Sequence, residues 1–199
     1  MVESIAEGKL RGGRHGLPRG VVRDNQRRRI LAGVVHAVGE LGYARMTVES
    51  VIARAEVSRR TFYEHFRNKE EAFLAAYDHV MEGMMRRTTE AYVSVEGSPG
   101  RFGAGLRAFL EALAADPHAA RMCIVEVKAA GRDAMARRDA VLRTFTGLLA
   151  PEMGEPDDRM PELTVNGLYG VVHARVEAGR AADLPALVPA LVPEPDRPS

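Results

Sequence analysis

The sequence predicts an all-α protein of about nine helices, and three observations carry that expectation. Apolar residues recur at helical spacing in segment after segment, while no alternating run long enough for a strand is present. Glycine, proline and short polar residues fall between those segments at positions suited to helix caps and turns. The 199 residues are 46% hydrophobic, enough for a sizeable core in one ordinary domain or two small ones.

Residues 1–20 carry Gly8, Gly12, Gly13, Gly16 and Gly20 among Lys9, Arg11, Arg14 and Arg19, and read as a flexible basic arm. A first helix, roughly 22–41, gathers Ile30, Leu31, Val34, Val35, Val38 and Leu41 on one face and ends at Gly42. Thr47 is placed to cap a short helix to 55 that buries Val48, Val51 and Ile52. After Glu56-Val57, Ser58 is placed to cap another, in which Phe62 and Phe66 face inward while Tyr63 and His65 face outward.

Asn68 followed by Glu71 has the spacing of a capping box and opens a long helix, whose apolar positions Phe73, Tyr77, Val80, Met84, Ala91 and Val95 lead to Gly97-Ser98-Pro99-Gly100. It spans ~27 residues, about 40 Å, long enough to link two bodies. Further helices are expected at 101–115, 118–130, 132–150 and 161–178, with a short one after Asp183. Four units result: the arm 1–20, a three-helix domain 21–67, a larger helical domain 68–192 and a disordered tail 193–199.

The net charge of +1 conceals an asymmetry. Residues 1–70 hold 14 Lys+Arg against 8 Asp+Glu, a net +6, whereas the remainder holds 14 against 19, a net −5. The positive front suits a polyanion. Two short helices joined by a tight turn, the second beginning Ser58-Arg59-Arg60-Thr61, form the geometry that lays a recognition helix in the DNA major groove. Arginines at a helix start reach guanine O6 and N7, and threonine offers a methyl or a hydroxyl. Arg11, Arg14 and Arg19 suit either an adjacent minor groove or non-specific attraction.

The run from Thr47 to Glu70, TVESVIARAEVSRRTFYEHFRNKE, resembles the DNA-binding signature of the tetracycline-repressor (TetR) family, and the resemblance extends over residues 27–77. It implies a helix-turn-helix DNA-binding domain followed by a helical ligand-binding and dimerisation domain. It further implies that Arg59, Arg60, Thr61 and Tyr63 face bases or adjacent phosphates, with Ser58 at the helix start, and that Thr47, His65 and Lys69 clamp the sugar-phosphate backbone. Lys69 also lies in the first turn of the long helix, where free N–H groups attract phosphate. Glu56 departs from the pattern, which mostly has glycine there; a side chain at positive φ costs about 1 kcal/mol.

The resemblance also implies an effector pocket between residues 101 and 178, for which Phe102, Phe109, Met122, Phe145, Tyr169 and His173 are candidates, with Glu126 and Arg175 as polar anchors. Leu168, Val171, Val172 and Val176, with Gly167 and Gly170, suit a homodimer interface. Pro185, Pro189 and Pro193 imply that the last helix is short. The expected partners are a double-stranded DNA operator, a second copy of the chain and a small-molecule effector. A ligand-binding dimer without specific DNA recognition and a non-specific basic DNA binder are the alternatives.

Other features are unremarkable. No apolar run marks a signal peptide or a membrane span, and a cytoplasmic protein without cofactor is expected. Gly103-Ala104-Gly105-Leu106-Arg107-Ala108 has glycine-fingerprint spacing but no preceding strand. His36 with Glu40, and His173 with Glu177, are helical pairs without a visible third ligand, so no metal is expected. Cys123 sits in an apolar stretch as a small hydrophobe, and no nucleophile-base pattern supports an enzyme.

Overall fold

The computed structural model describes residues 19–96, 100–153 and 159–191. The arm expected at 1–20, apart from Arg19 and Gly20, and the tail expected at 193–199 lie outside the described residues. Nine α-helices and no strand are present among the described residues. Helix α1 (Arg19–Leu41) starts three residues earlier than its apolar pattern suggested, and Gly42 follows it at φ 79°. A 3₁₀ turn (Tyr43–Arg45) leads to α2 (Val48–Ala55), α3 (Arg59–His65) and the 26-residue α4 (Lys69–Ser94).

The caps explain these starts. The Oγ1 of Thr47 accepts the Ser50 N–H at 3.2 Å while the Ser50 Oγ accepts the Thr47 N–H at 3.1 Å, a reciprocal box. At α4, Asn68 Oδ1 accepts the Glu71 N–H at 2.8 Å, but the Glu71 carboxylate reaches past the cap to the Arg67 N–H at 2.8 Å and Nε at 3.0 Å. The expected box is therefore closed one residue early, because the Arg67 guanidinium draws the carboxylate.

Helices α1 to α3 surround Ile30, Val34, Val38, Val51, Phe62 and Phe66, all buried. Close approach of α2 to α1 depends on Gly33, where a Cβ would lie 2.8 Å from the Val51 carbonyl oxygen. The second body contains α5 (Arg101–Ala115), α6 (Pro117–Ala120), α7 (Arg132–Met153) and α8 (Met160–Glu177), followed by a 3₁₀ segment (Ala181–Leu187) holding Pro185 and by α9 (Val188–Leu191). The single helix expected at 118–130 is three pieces: α6, a wide π turn at Arg121–Val125 and a 3₁₀ stretch at Glu126–Ala130. One continuous apolar core runs from Ile30 through α4 to Val188, so both bodies share it.

Between the bodies, Glu126 acts as a latch. Its Oε2 accepts the Tyr43 N–H at 2.9 Å and its Oε1 accepts from Arg121 at 2.9 Å. Gly42 makes room for it, since a Cβ there would lie 3.2 Å from the carboxylate.

Candidate nucleic-acid interface

The turn between α2 and α3 is shaped by backbone chemistry. Glu56 adopts φ 48° and ψ 44°, the left-handed conformation its place in the turn anticipated. Arg29, reaching across from α1, donates to the carbonyls of Ala55 at 2.5 Å and Glu56 at 2.7 Å, satisfying acceptors left free at the end of α2. Nothing in the local sequence pairs Arg29 with these groups. Arg27 also has an internal use, its guanidinium lying 4.8 Å over the Phe66 ring.

Ser58 caps α3: its Oγ accepts the Thr61 N–H at 3.0 Å and shares a hydrogen bond of 2.9 Å with Thr61 Oγ1. The first turn of α3 then presents Arg59 and Arg60 to solvent, their side chains 62% and 89% exposed. Tyr63, 49% exposed, stands one turn on from Arg60. Both arginines have internal carboxylate partners: Arg59 Nη2 lies 2.6 Å from Glu49 Oε1, and Arg60 Nε lies 3.0 Å from Glu64 Oε1. The backbone hydrogen bond of Glu49 and the Arg59 charge hold its carboxyl below the usual carboxylate range.

The flanking groups differ in posture. Thr47 is exposed before α2, whereas Lys69 is half-buried, its Nζ donating to the Met46 carbonyl at 3.1 Å and lying 5.0 Å over the Tyr43 ring. His65, expected outward, is half-buried against α1, with Nε2 3.5 Å from Gln26 Oε1. Burial, with Arg23 and Arg27 nearby, pushes its pKa below the ordinary histidine value. A neutral imidazole there is a hydrogen-bond donor or acceptor rather than a cation.

A cavity of about 50 Å³ lies in the second body. Tyr77 and Met81 of α4, Leu106, Phe109 and Leu110 of α5, Cys123 and Ile124, Val141, Leu142 and Phe145 of α7, and Val165, Leu168, Tyr169 and Val172 of α8 line it together with Arg138. The Tyr169 hydroxyl donates to the Ile124 carbonyl at 2.8 Å, and Arg138 lies 5.4 Å from the Tyr169 ring centroid. Of the candidates read from sequence, Phe109, Phe145 and Tyr169 line this cavity. Phe102 instead stacks edge-on behind Phe145 with centroids 6.5 Å apart, and Met122 is buried outside the lining. Glu126 is spent on the latch, and His173 sits 3.7 Å from Glu177, outside the cavity. Arg138, which supplies the polar group in place of Glu126, was hidden because α7 carries charge on most faces. Burial pushes the Cys123 thiol pKa up, leaving a small apolar side chain.

The fold and the exposed start of α3 define a helix-turn-helix DNA-binding regulator. Residues 30–76 match the model of the bacterial regulatory proteins of the tetR family. No curated protein matches the sequence significantly. Similar solved structures include the transcriptional regulator FadR from Bacillus subtilis in complex with stearoyl-CoA, 20% identical with a TM-score of 0.72 over 82% of this chain and 94% of that one. The fatty acid degradation regulator FadR from Bacillus halodurans is 21% identical, TM-score 0.69, over 87% and 97%. A TetR-like regulator from Rhodococcus sp. RHA1 is 22% identical, TM-score 0.61, over 89% and 100%. No helix among the described residues is long and apolar enough to cross a membrane.

Proposed function

We propose that this protein is a cytoplasmic repressor that holds a near-palindromic operator as a homodimer and releases it when an apolar effector of the fatty-acyl class enters the second body. The carrying observation is the cavity wall, in which apolar side chains from α5, α7 and α8 meet Tyr77 and Met81 of α4, the helix that begins beside the recognition helix. In this reading residues 21–67 bind DNA, through Ser58, Arg59, Arg60, Thr61 and Tyr63 on the bases and neighbouring phosphates and Thr47, His65 and Lys69 on the backbone. Residues 68–192 bind effector and partner, and the protein acts by binding rather than by turnover.

Size supports the mechanism. Ligand pockets for drug-sized molecules measure roughly 300 Å³ or more, far above the 50 Å³ found here. A long chain therefore enters only by pushing α4, α5, α7 and α8 apart, and displacement of α4 alters the spacing of the two recognition helices. An acyl-CoA is the effector class that the likeness to the stearoyl-CoA complex suggests, with Arg138 and Tyr169 as its polar contacts. A coupling of about 1–3 kcal/mol suffices for release.

Titration onto labelled DNA flanking the protein's own gene, with scrambled duplex as competitor, and repeated with stearoyl-CoA and with free CoA, tests the reading. Selective binding relieved by the acylated form alone is expected. Equal affinity for every duplex, followed by a genome-wide selection without a preferred site, would replace it with the non-specific binder. Selective binding indifferent to acyl-CoA would remove the effector class and leave the regulator.

A further inference from the structure

His36 and Glu40 stand one turn apart on α1, so their side chains share a face. Two ligands do not make a site. The third comes from α6: His118 packs over α1 at Gly39, where a Cβ would lie 2.7 Å from the His118 Cα, a distance no side chain tolerates. The close approach brings one donor atom each of His36, Glu40 and His118 within 4.8 Å of one another. The two imidazoles meet edge to face with centroids 5.1 Å apart.

We propose that His36, Glu40 and His118 form a binding site for a divalent transition-metal ion, zinc by preference, which clamps α1 to α6. This proposal is independent of the operator and effector readings. Two imidazole nitrogens and one carboxylate oxygen are the donor set of zinc sites that keep one open position for water. Imidazole suits zinc, copper and nickel, whereas magnesium and calcium take oxygen ligands. Ligands at about 2.0–2.2 Å from a tetrahedral ion lie roughly 3.4 Å apart, so the present donors close by side-chain rotation alone. His36 and Glu40 are exposed, while His118 is half-buried and held by its place on α6.

Glu40 is oriented by Arg54 of α2, to which it is ion-paired. One carboxylate oxygen holds the guanidinium and the other remains to ligate, the arrangement by which outer partners fix metal ligands. The ion thus joins the helix-turn-helix unit, through α1 and Arg54, to the body containing α6.

Titration of the metal-stripped full-length protein with Co²⁺, followed by visible absorption, gives the test. One equivalent is expected to produce the d–d bands of a four- or five-coordinate ion, bleached when Zn²⁺ displaces it. His36→Gln, Glu40→Gln and His118→Gln are each expected to weaken binding at least about tenfold. Zn²⁺ is expected to raise the Tm of the wild type and not that of His36→Gln. Absence of these bands up to millimolar Co²⁺, or unchanged affinity in His36→Gln, overturns the proposal. If His118→Gln loses its helical circular dichroism, His36→Gln and Glu40→Gln, both at exposed positions, decide the matter.

Discussion

At Glu56 the chain accepts a left-handed residue, φ 48°, where glycine would be unstrained. Arg29 compensates from α1, its side chain only 15% exposed, by donating to both carbonyls that the turn leaves free. Removing it takes their charged donor away, and hydrogen bonds to a charged donor are worth about 1.5–3 kcal/mol. Arg29→Ala is therefore expected to lower unfolding free energy by about 2 kcal/mol in urea titration. Operator affinity should fall as well, because the turn sets the angle of α3. Arg60 and Tyr63 test the opposite case. Both project into solvent, and the Arg60–Glu64 pair is a surface ion pair of little consequence to stability. Arg60→Ala and Tyr63→Ala are expected to leave the urea midpoint unchanged while costing about 1–3 kcal/mol in operator binding, measured by fluorescence anisotropy. A matching loss of stability in either variant would assign those residues to folding instead.

The 3₁₀ stretch Glu126–Ala130 ties the second body to the 3₁₀ turn after α1, through one carboxylate that serves Tyr43 and Arg121 together. Glu126→Ala removes the acceptor of the Tyr43 N–H, and a loss of about 1–3 kcal/mol in stability is expected. The sharper readout is coupling: the ratio of operator affinities without and with saturating stearoyl-CoA should shrink towards one. An unchanged ratio would move the signal path wholly onto α4. Such a latch was not legible in the sequence, because its partner lies 83 residues earlier and spacing along a helix reports only local neighbours. His118 escaped for the same reason. What was legible was periodic: α5 appears over Arg101–Ala115 as its apolar spacing required, and Thr47, Ser58 and Asn68 each cap the helix they precede. In α8 the period was readable but the face was not. Val172 and Val176, assigned to a partner, are buried in the chain's own core, and Leu168 lines the cavity. A helix whose apolar residues are spread around its circumference has no sequence signal that separates inner from outer faces.

The whole molecule concentrates positive charge in its first 70 residues and exposes apolar side chains along α8. Along α8, Met160, Leu163 and Val171 are 44%, 64% and 42% exposed, and at Gly167 and Gly170 nothing lies within 4 Å of where a Cβ would stand. Large apolar side chains at intervals of three and eight residues, interrupted by glycines that admit a neighbouring backbone, suit packing against the same strip of a second copy about a twofold axis. Leu163→Glu places a carboxylate from each copy in that contact, where desolvation and like charge both oppose association. Sedimentation is expected to find a wild-type dimer, twice 21.7 kDa, and a monomeric variant. Because Leu163 lies outside the core of its own chain, the variant's circular dichroism should be preserved. Its operator affinity should nevertheless fall at least about 100-fold, since the second half-site contact becomes a separate bimolecular event. A variant that remains dimeric with full operator affinity would place the interface elsewhere, with the 3₁₀ segment Ala181–Leu187 and α9 as the remaining described elements after α8.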